Sequence, residues 1–129
     1  MELKVKVDGV EMSIEEAISI GNNDPGIYGF RFDENSPMWT KDHESNRIYL
    51  RTQQDYMNVM LRLKGHLFLN EVYDALGVPR TALGQMVGWI YNDRKCVDLN
   101  IINEQNLNRI EENVFYLYPN VDGYILDKI

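Results

Sequence analysis

Leu3, Val5 and Val7 alternate with Lys4, Lys6 and Asp8 at the start of the chain. That period of two predicts a half-buried strand, and Asp8-Gly9 followed by Val10-Glu11-Met12 predicts its return as a hairpin. Ser13 then stands as an N-cap with Glu16 three residues on, the spacing of a capping box. Ile14, Ala17 and Ile18 supply a short apolar stripe that Gly21 ends. Asn22 to Gly29 holds Asp24-Pro25-Gly26 and reads as a loop, the one candidate boundary in the chain.

Phe30, Phe32 and Trp39 flank Ser36-Pro37 in a stretch that predicts a long loop whose rings dock on the core. From Thr40 or Asp42 to about Lys64 the period changes to that of a helix. Tyr49, Tyr56, Met60 and Leu63 form its predicted buried face, widened by Leu50, Met57 and Leu61. Arg47, Arg51, Asp55, Asn58 and Arg62 occupy much of the remainder. Gly65 ends this helix, and Asn70 predicts the N-cap of the next, with Glu71 in its first turn. Gly77 and Pro79 stop that helix. Thr81 to Val87 predicts a short helical piece weakened by Gly84 and Gly88, and Trp89-Ile90-Tyr91 a strand. After an Asn92-Asp93 turn, Cys96, Val97, Leu99, Ile101 and Ile102 predict another strand. Asn103 predicts the cap of a helix to about Asn113. Val114 to Tyr118 is β-prone, and Tyr124-Ile125-Leu126 follows a turn as a last strand.

Helices and strands interleave without a regular βαβ rhythm, so the expected class is α+β. The expected architecture is a small single domain, residues 1–129. A long central helix and short helices pack on a small, largely antiparallel sheet. Residues 1–29 would form an acidic hairpin-and-helix extension to a core of residues 30–129.

Charge narrows the functions. The net charge is −7. Residues 1–30 carry two basic and six acidic side chains, the rest eleven and fourteen. Neither part offers the clustered cations that a phosphate backbone needs. Cys96 is the one cysteine, which excludes an intrachain disulfide and a cysteine-based zinc site. No apolar run approaches the ~18 residues of a membrane span. The N-terminus lacks the apolar core of a secretion signal.

The run from Gly65 to Tyr91, GHLFLNEVYDALGVPRTALGQMVGWIY, carries a resemblance, together with Phe32 to Trp39, Gln53-Gln54 and Asn120 to Ile125. These stretches resemble a domain-of-unknown-function family of phage and prophage accessory proteins. The resemblance covers about residues 30 to 129. Members of that family often begin with an apolar segment that is membrane-inserted, and here a short acidic stretch stands in its place. The resemblance implies a phage origin and a soluble accessory role; with no secretion signal or membrane-length apolar run, the expected setting is the host cytoplasm.

No residue pattern marks a catalytic centre. His43 and His66 lack the spacing or company of a metal site, and no P-loop, dinucleotide fingerprint or nucleophile elbow occurs. The helix pair around Leu76 to Arg80 suggests a helix-turn-helix. The glycines at 84 and 88, and a balance of three basic against three acidic residues from Gly65 to Lys95, argue against DNA. What remains is a set of planar and cationic side chains: Trp39, Arg47, His66, Tyr73, Arg80, Trp89 and Tyr91. Brought together, the rings would stack on a base while arginines held phosphate. Taken singly, each ring has core packing as its simpler explanation.

The expected function is therefore binding without catalysis and without a cofactor: counter-defence by capture of a nucleotide immune signal or of a host protein. A minor virion structural or assembly protein is the alternative, and a small enzyme the third reading. A homo-oligomer is expected to be compatible with each.

Overall fold

The computed structural model describes residues 4–7, 10–13, 16, 28–103 and 113–129. The N-terminal hairpin forms as its alternation predicts. β1 (Lys4–Val7) runs antiparallel to β2 (Val10–Ser13), with Lys4 opposite Ser13 and Val7 opposite Val10. Ser13 Oγ accepts from the Glu16 N–H at 3.2 Å, the first bond of the expected cap. Its turn and the rest of the helix predicted after Ser13 lie outside the described residues.

Two further small sheets hold the centre. One has the order β3 (Phe30–Phe32), β7 (Phe115–Leu117), β6 (Ile102–Asn103). The other has the order β4 (His66–Phe68), β5 (Val87–Ile90), β8 (Gly123–Tyr124). All pairings are antiparallel. α1 (His43–Lys64) and α2 (Leu69–Leu76) both pack against the second of these sheets. The α+β class and the long helix are as expected.

α1 begins at Asp42, whose carboxylate accepts from the Ser45 N–H at 3.1 Å. The bonds from Ser45 hold that carboxyl below its ordinary pKa. The helix ends at Gly65, which takes a left-handed φ of 83°. Its buried face is narrower and rotated from the predicted one. Asn46, Leu50, Met57 and Leu61 are buried. Tyr56 and Leu63 are 51% and 74% exposed. The helix carries two apolar stripes, and a reading by periodicity merged them. Asn46 sits on the inner one because its amide is fully used: it bonds Thr40 N and O and Asn113 Oδ1 at 2.8–3.0 Å.

α2 corrects the expected cap. Its N-cap is Phe68, not Asn70. The Glu71 carboxylate reaches back to accept from the Phe68 N–H at 2.8 Å, which is the second half of a capping box without its first. Asn70 instead bonds both Thr81 N and Thr81 O at 3.0 Å, and so closes the loop after α2. Phe30–Phe32, expected in a long loop, is a strand, and only residues after it turn irregularly. Leu83–Gln85 forms a 3-10 turn, and the strand that follows starts at Val87, ahead of the predicted Trp89.

The expected strand from Cys96 to Ile102 reduces to Ile102–Asn103. Val97 and Leu99 are nevertheless fully buried, as their alternation predicts. Two backbone bonds reach this segment, Tyr118 N–H to Leu99 O at 2.7 Å and Asn120 N–H to Asp98 O at 3.0 Å, and side-chain amides supply most of the rest. Asn58 accepts from Val97 N at 2.7 Å and donates to Val97 O at 3.1 Å. Gln54 accepts from Leu99 N at 2.9 Å. Asn120 accepts from Asp98 N at 2.8 Å and donates to Cys96 O at 2.9 Å. Asn103 is a strand residue opposite Phe115. The helix predicted after it falls on residues 104–112, outside the described ones. The last strand is Gly123–Tyr124, followed by a 3-10 turn at Leu126–Lys128.

Asn58→Ala should cost about 2–4 kcal/mol, because it strands a part-buried N–H and C=O of Val97 together. Urea unfolding that finds the midpoint unchanged would show that water replaces the amide without loss.

Candidate functional site

The structure disperses the seven side chains singled out in the sequence. Tyr73 and Trp89 are core residues, 5% and 1% exposed. Tyr73 meets Phe30 edge-on at 5.1 Å, and burial pushes its hydroxyl pKa up. Trp89 Nε1 donates to Asn120 Oδ1 at 2.9 Å. Trp39 is half-buried, and its Nε1 donates to Asn113 O at 2.7 Å. His66 lies in β4 opposite Ile90 with its ring edge on Phe68. Arg47 pairs with Glu44 one turn earlier on the same helix. Arg80 makes a two-bond fork to Asp74, at 2.8 and 2.5 Å. Tyr91 alone of the seven combines an exposed ring with a place beside cations that are unpaired among the described residues.

That place is a cavity of about 290 Å³ between α1 and the turn that follows β5. Asn58, Leu61 and Arg62 of α1 form one wall; Tyr91 and residues 92–96 form the other. The turn is well determined by its own bonds. Tyr91 N–H donates to Gly65 O at 2.9 Å, Asn92 Oδ1 accepts from Arg94 N at 2.8 Å, and Asn92 bridges to Lys95. Lys95 reaches Asp122 at 2.5 Å, and the other oxygen of Asp122 accepts from the Ile90 N–H at 2.9 Å. The Asn58 clip on Val97 fixes the far end of the turn against the helix.

The wall chemistry is cationic. Arg62, Arg94 and Lys95 all line this concavity, against one carboxylate, Asp93. Among the described residues neither Arg62 nor Arg94 makes an ion pair. In a chain of net charge −7 this is a local reversal of sign. Two guanidiniums unpaired among the described residues and an exposed phenol ring bring forked donors and a planar face to one concavity. Arg94 and Lys95 were legible only as an Arg-Lys pair after an Asn-Asp turn. Nothing local said that they would face Arg62 across a gap.

A second cavity, of about 340 Å³, takes Trp39. It mixes Arg31 and Lys41 with Asp33 and Glu34. Arg31 is already engaged, 3.4 Å from Asp33 and over the Tyr116 ring at 5.6 Å. Its charges offset one another, so it lacks the excess of cations of the first. Among the described residues no group of three or more His, Cys, Asp or Glu side chains is placed to hold a metal ion. No helix of the described residues is long and apolar enough to cross a membrane.

Residues 2–129 match the family described as "Family of unknown function (DUF6353)". The chain belongs to that family. The match to DUF6353 begins at residue 2, so it includes the N-terminal hairpin that the resemblance had left outside. No curated protein and no solved structure matches the chain significantly. The cavity beside Tyr91 is thus a feature of this DUF6353 chain read from its own geometry.

Arg80→Ala should leave this protein folded with little change in stability, since both partners of the pair are solvent-exposed. Its signature is elsewhere. The Arg80 bonds hold the Asp74 carboxyl below its ordinary pKa. The pair's contribution is therefore complete above about pH 4, the ordinary carboxylate value, and is lost as pH falls through the lowered folded one. A carboxyl ¹³C titration should show Asp74 moving up to the ordinary range in Arg80→Ala. An unmoved Asp74 would mean that the fork does not persist in solution.

Proposed function

We propose that this protein acts by binding rather than by catalysis, and that its ligand is a nucleotide-like anion held in the cavity beside Tyr91. The observation that carries this is the convergence of Arg62 and Arg94, neither in an ion pair among the described residues, on one concavity with an exposed ring, in an otherwise acidic chain. The guanidiniums hold the phosphate, and the Tyr91 ring offers a stacking face for the base. A volume of about 290 Å³ stands at the lower end of small-molecule pockets and suits one nucleoside unit. Arg80, Arg47 and Trp89 leave the proposal, because the first two are already paired and the last is core. In the phage or prophage setting that the sequence resemblance implies, the role is counter-defence by sequestering a nucleotide signal in the host cytoplasm.

Capture of a host protein is the second reading. It draws on the apolar stripe along the outer side of α1, where Ile48, Tyr56, Val59 and Leu63 are exposed.

The readings separate in a thermal-shift series with nucleosides, 5′-mononucleotides, cyclic mononucleotides and inorganic phosphate. At ligand near 100 times its Kd, binding adds about 2.7 kcal/mol and raises Tm by on the order of 10 °C. Mononucleotides should give this shift and the matching nucleosides much less. Arg94→Ala should remove most of it with the unliganded Tm unchanged, because Arg94 is exposed and unpaired among the described residues. Equal shifts in wild type and Arg94→Ala, or none with any nucleotide, would reject this cavity as the site.

A further inference from the structure

The outer face of α1 has a pattern of its own. Thr52, Tyr56, Val59 and Leu63 recur at steps of four, three and four, the spacing of a seam between two helices. Tyr56, Val59 and Leu63 are 51%, 40% and 74% exposed, so the seam has no partner within the described chain. Beside it, Asp55 and Arg62 stand seven residues apart, on one edge of the stripe. The other charges of the helix are mostly satisfied: Arg47 pairs with Glu44, and Lys64 pairs with Glu71. Among the described residues Asp55, Arg62 and Arg51 make no ion pair.

We propose that this face is where two copies of the chain pair, α1 against α1, antiparallel about a twofold axis near residues 57 and 58. That register sets Tyr56 of each copy against Val59 of the other, and Thr52 against Leu63. The steps place Asp55 of each copy beside Arg62 of the other. The charged edge is thus self-complementary in this one orientation, as an isologous interface requires. In a parallel pair the edge that carries Asp55 and Arg62 would lie on opposite sides of the seam in the two copies, and these charges would not meet. Arg51 lies further round the helix from the seam and stays at the rim.

The contact is small. It spans eleven residue steps, about 17 Å of helix, and falls below the ~1,200 Å² of stable complexes. The dimer is therefore a weak, transient one.

Sedimentation velocity on the full chain, from about 10 µM to about 1 mM in low salt, reads the association directly. Wild type should pass from monomer to dimer over that range. Asp55→Arg and Arg62→Asp should each weaken association about tenfold, because each sets like charges across the seam. An equimolar mixture of the two variants should recover it, since both charged contacts of the mixed dimer again join an arginine to an aspartate. Leu63→Glu, at the most exposed position of the stripe, should abolish it. A wild type that stays monomeric to about 1 mM overturns the proposal and leaves the stripe to another protein. So does a mixture that fails to recover, or a pair of single variants that associate as wild type does.

Discussion

The segment from Cys96 to Asn100 depends on three side-chain amides, and the placement of everything around it depends on that segment. It carries Val97 and Leu99 fully into the core, yet it forms no regular strand: backbone N–H groups of Tyr118 and Asn120 bond Leu99 O and Asp98 O, and side chains must supply most of its other bonds. Leaving those groups unbonded would cost about 1–3 kcal/mol each, enough to expel the segment. Gln54 and Asn58 supply the missing bonds from α1, and Asn120 supplies them from the chain before β8. Asn120 also accepts from Trp89 Nε1, so the largest buried ring is tied into the same set. These bonds hold α1 against the turn after β5, and the cavity beside Tyr91 is the gap left between them.

This dependence explains what was legible in the sequence and what was not. Elements set by local chemistry read correctly: the pairing of β1 with β2, the Asp42 cap, and the stops at Gly65 and Gly77. Elements set by distant partners did not. Asn58 looked like surface on a helical wheel, and Asn70 looked like a cap. Both amides instead bond backbone groups that come close only in three dimensions. Alternation at Val97 and Leu99 reported their burial truthfully but could not report that side-chain amides, more than a regular ladder, bond their backbone. The merging of two stripes on α1 has the same root. Periodicity counts apolar residues, and it cannot tell a face turned to the core from one turned to solvent.

Gly88 shows how tightly the central sheet is built. It pairs with Phe68 on one side and Gly123 on the other. A Cβ there would lie 1.9 Å from the Leu67 carbonyl oxygen, so the two strands close only around hydrogen. Gly84 is equally confined, 2.2 Å from the Asn70 side-chain oxygen that caps Thr81. These glycines weakened the reading of residues 81–91 as a recognition helix, and the structure gives the reason for them: close approach of neighbouring groups. Of the candidate site, the sequence showed Tyr91 but pointed to Arg80 and Arg47 as its cations. Both are satisfied by local carboxylates at helical or turn spacing, a pairing that spacing alone does not decide.

Arg62 belongs to both proposed surfaces, which constrains how they act together. It lines the cavity, and it stands on the edge of the outer stripe of α1. An anion in the cavity draws the guanidinium inward, while the carboxylate of a second copy's Asp55 draws it along the helix edge. Linkage makes the effect mutual: the factor by which an anion weakens pairing is the factor by which pairing weakens the anion. Arg94 has no place on α1 and feels only the first of these. Loss of Arg94 therefore acts on the anion alone, whereas loss of Arg62 acts on both. That asymmetry distinguishes two functions meeting at one residue from a single function spread over a patch.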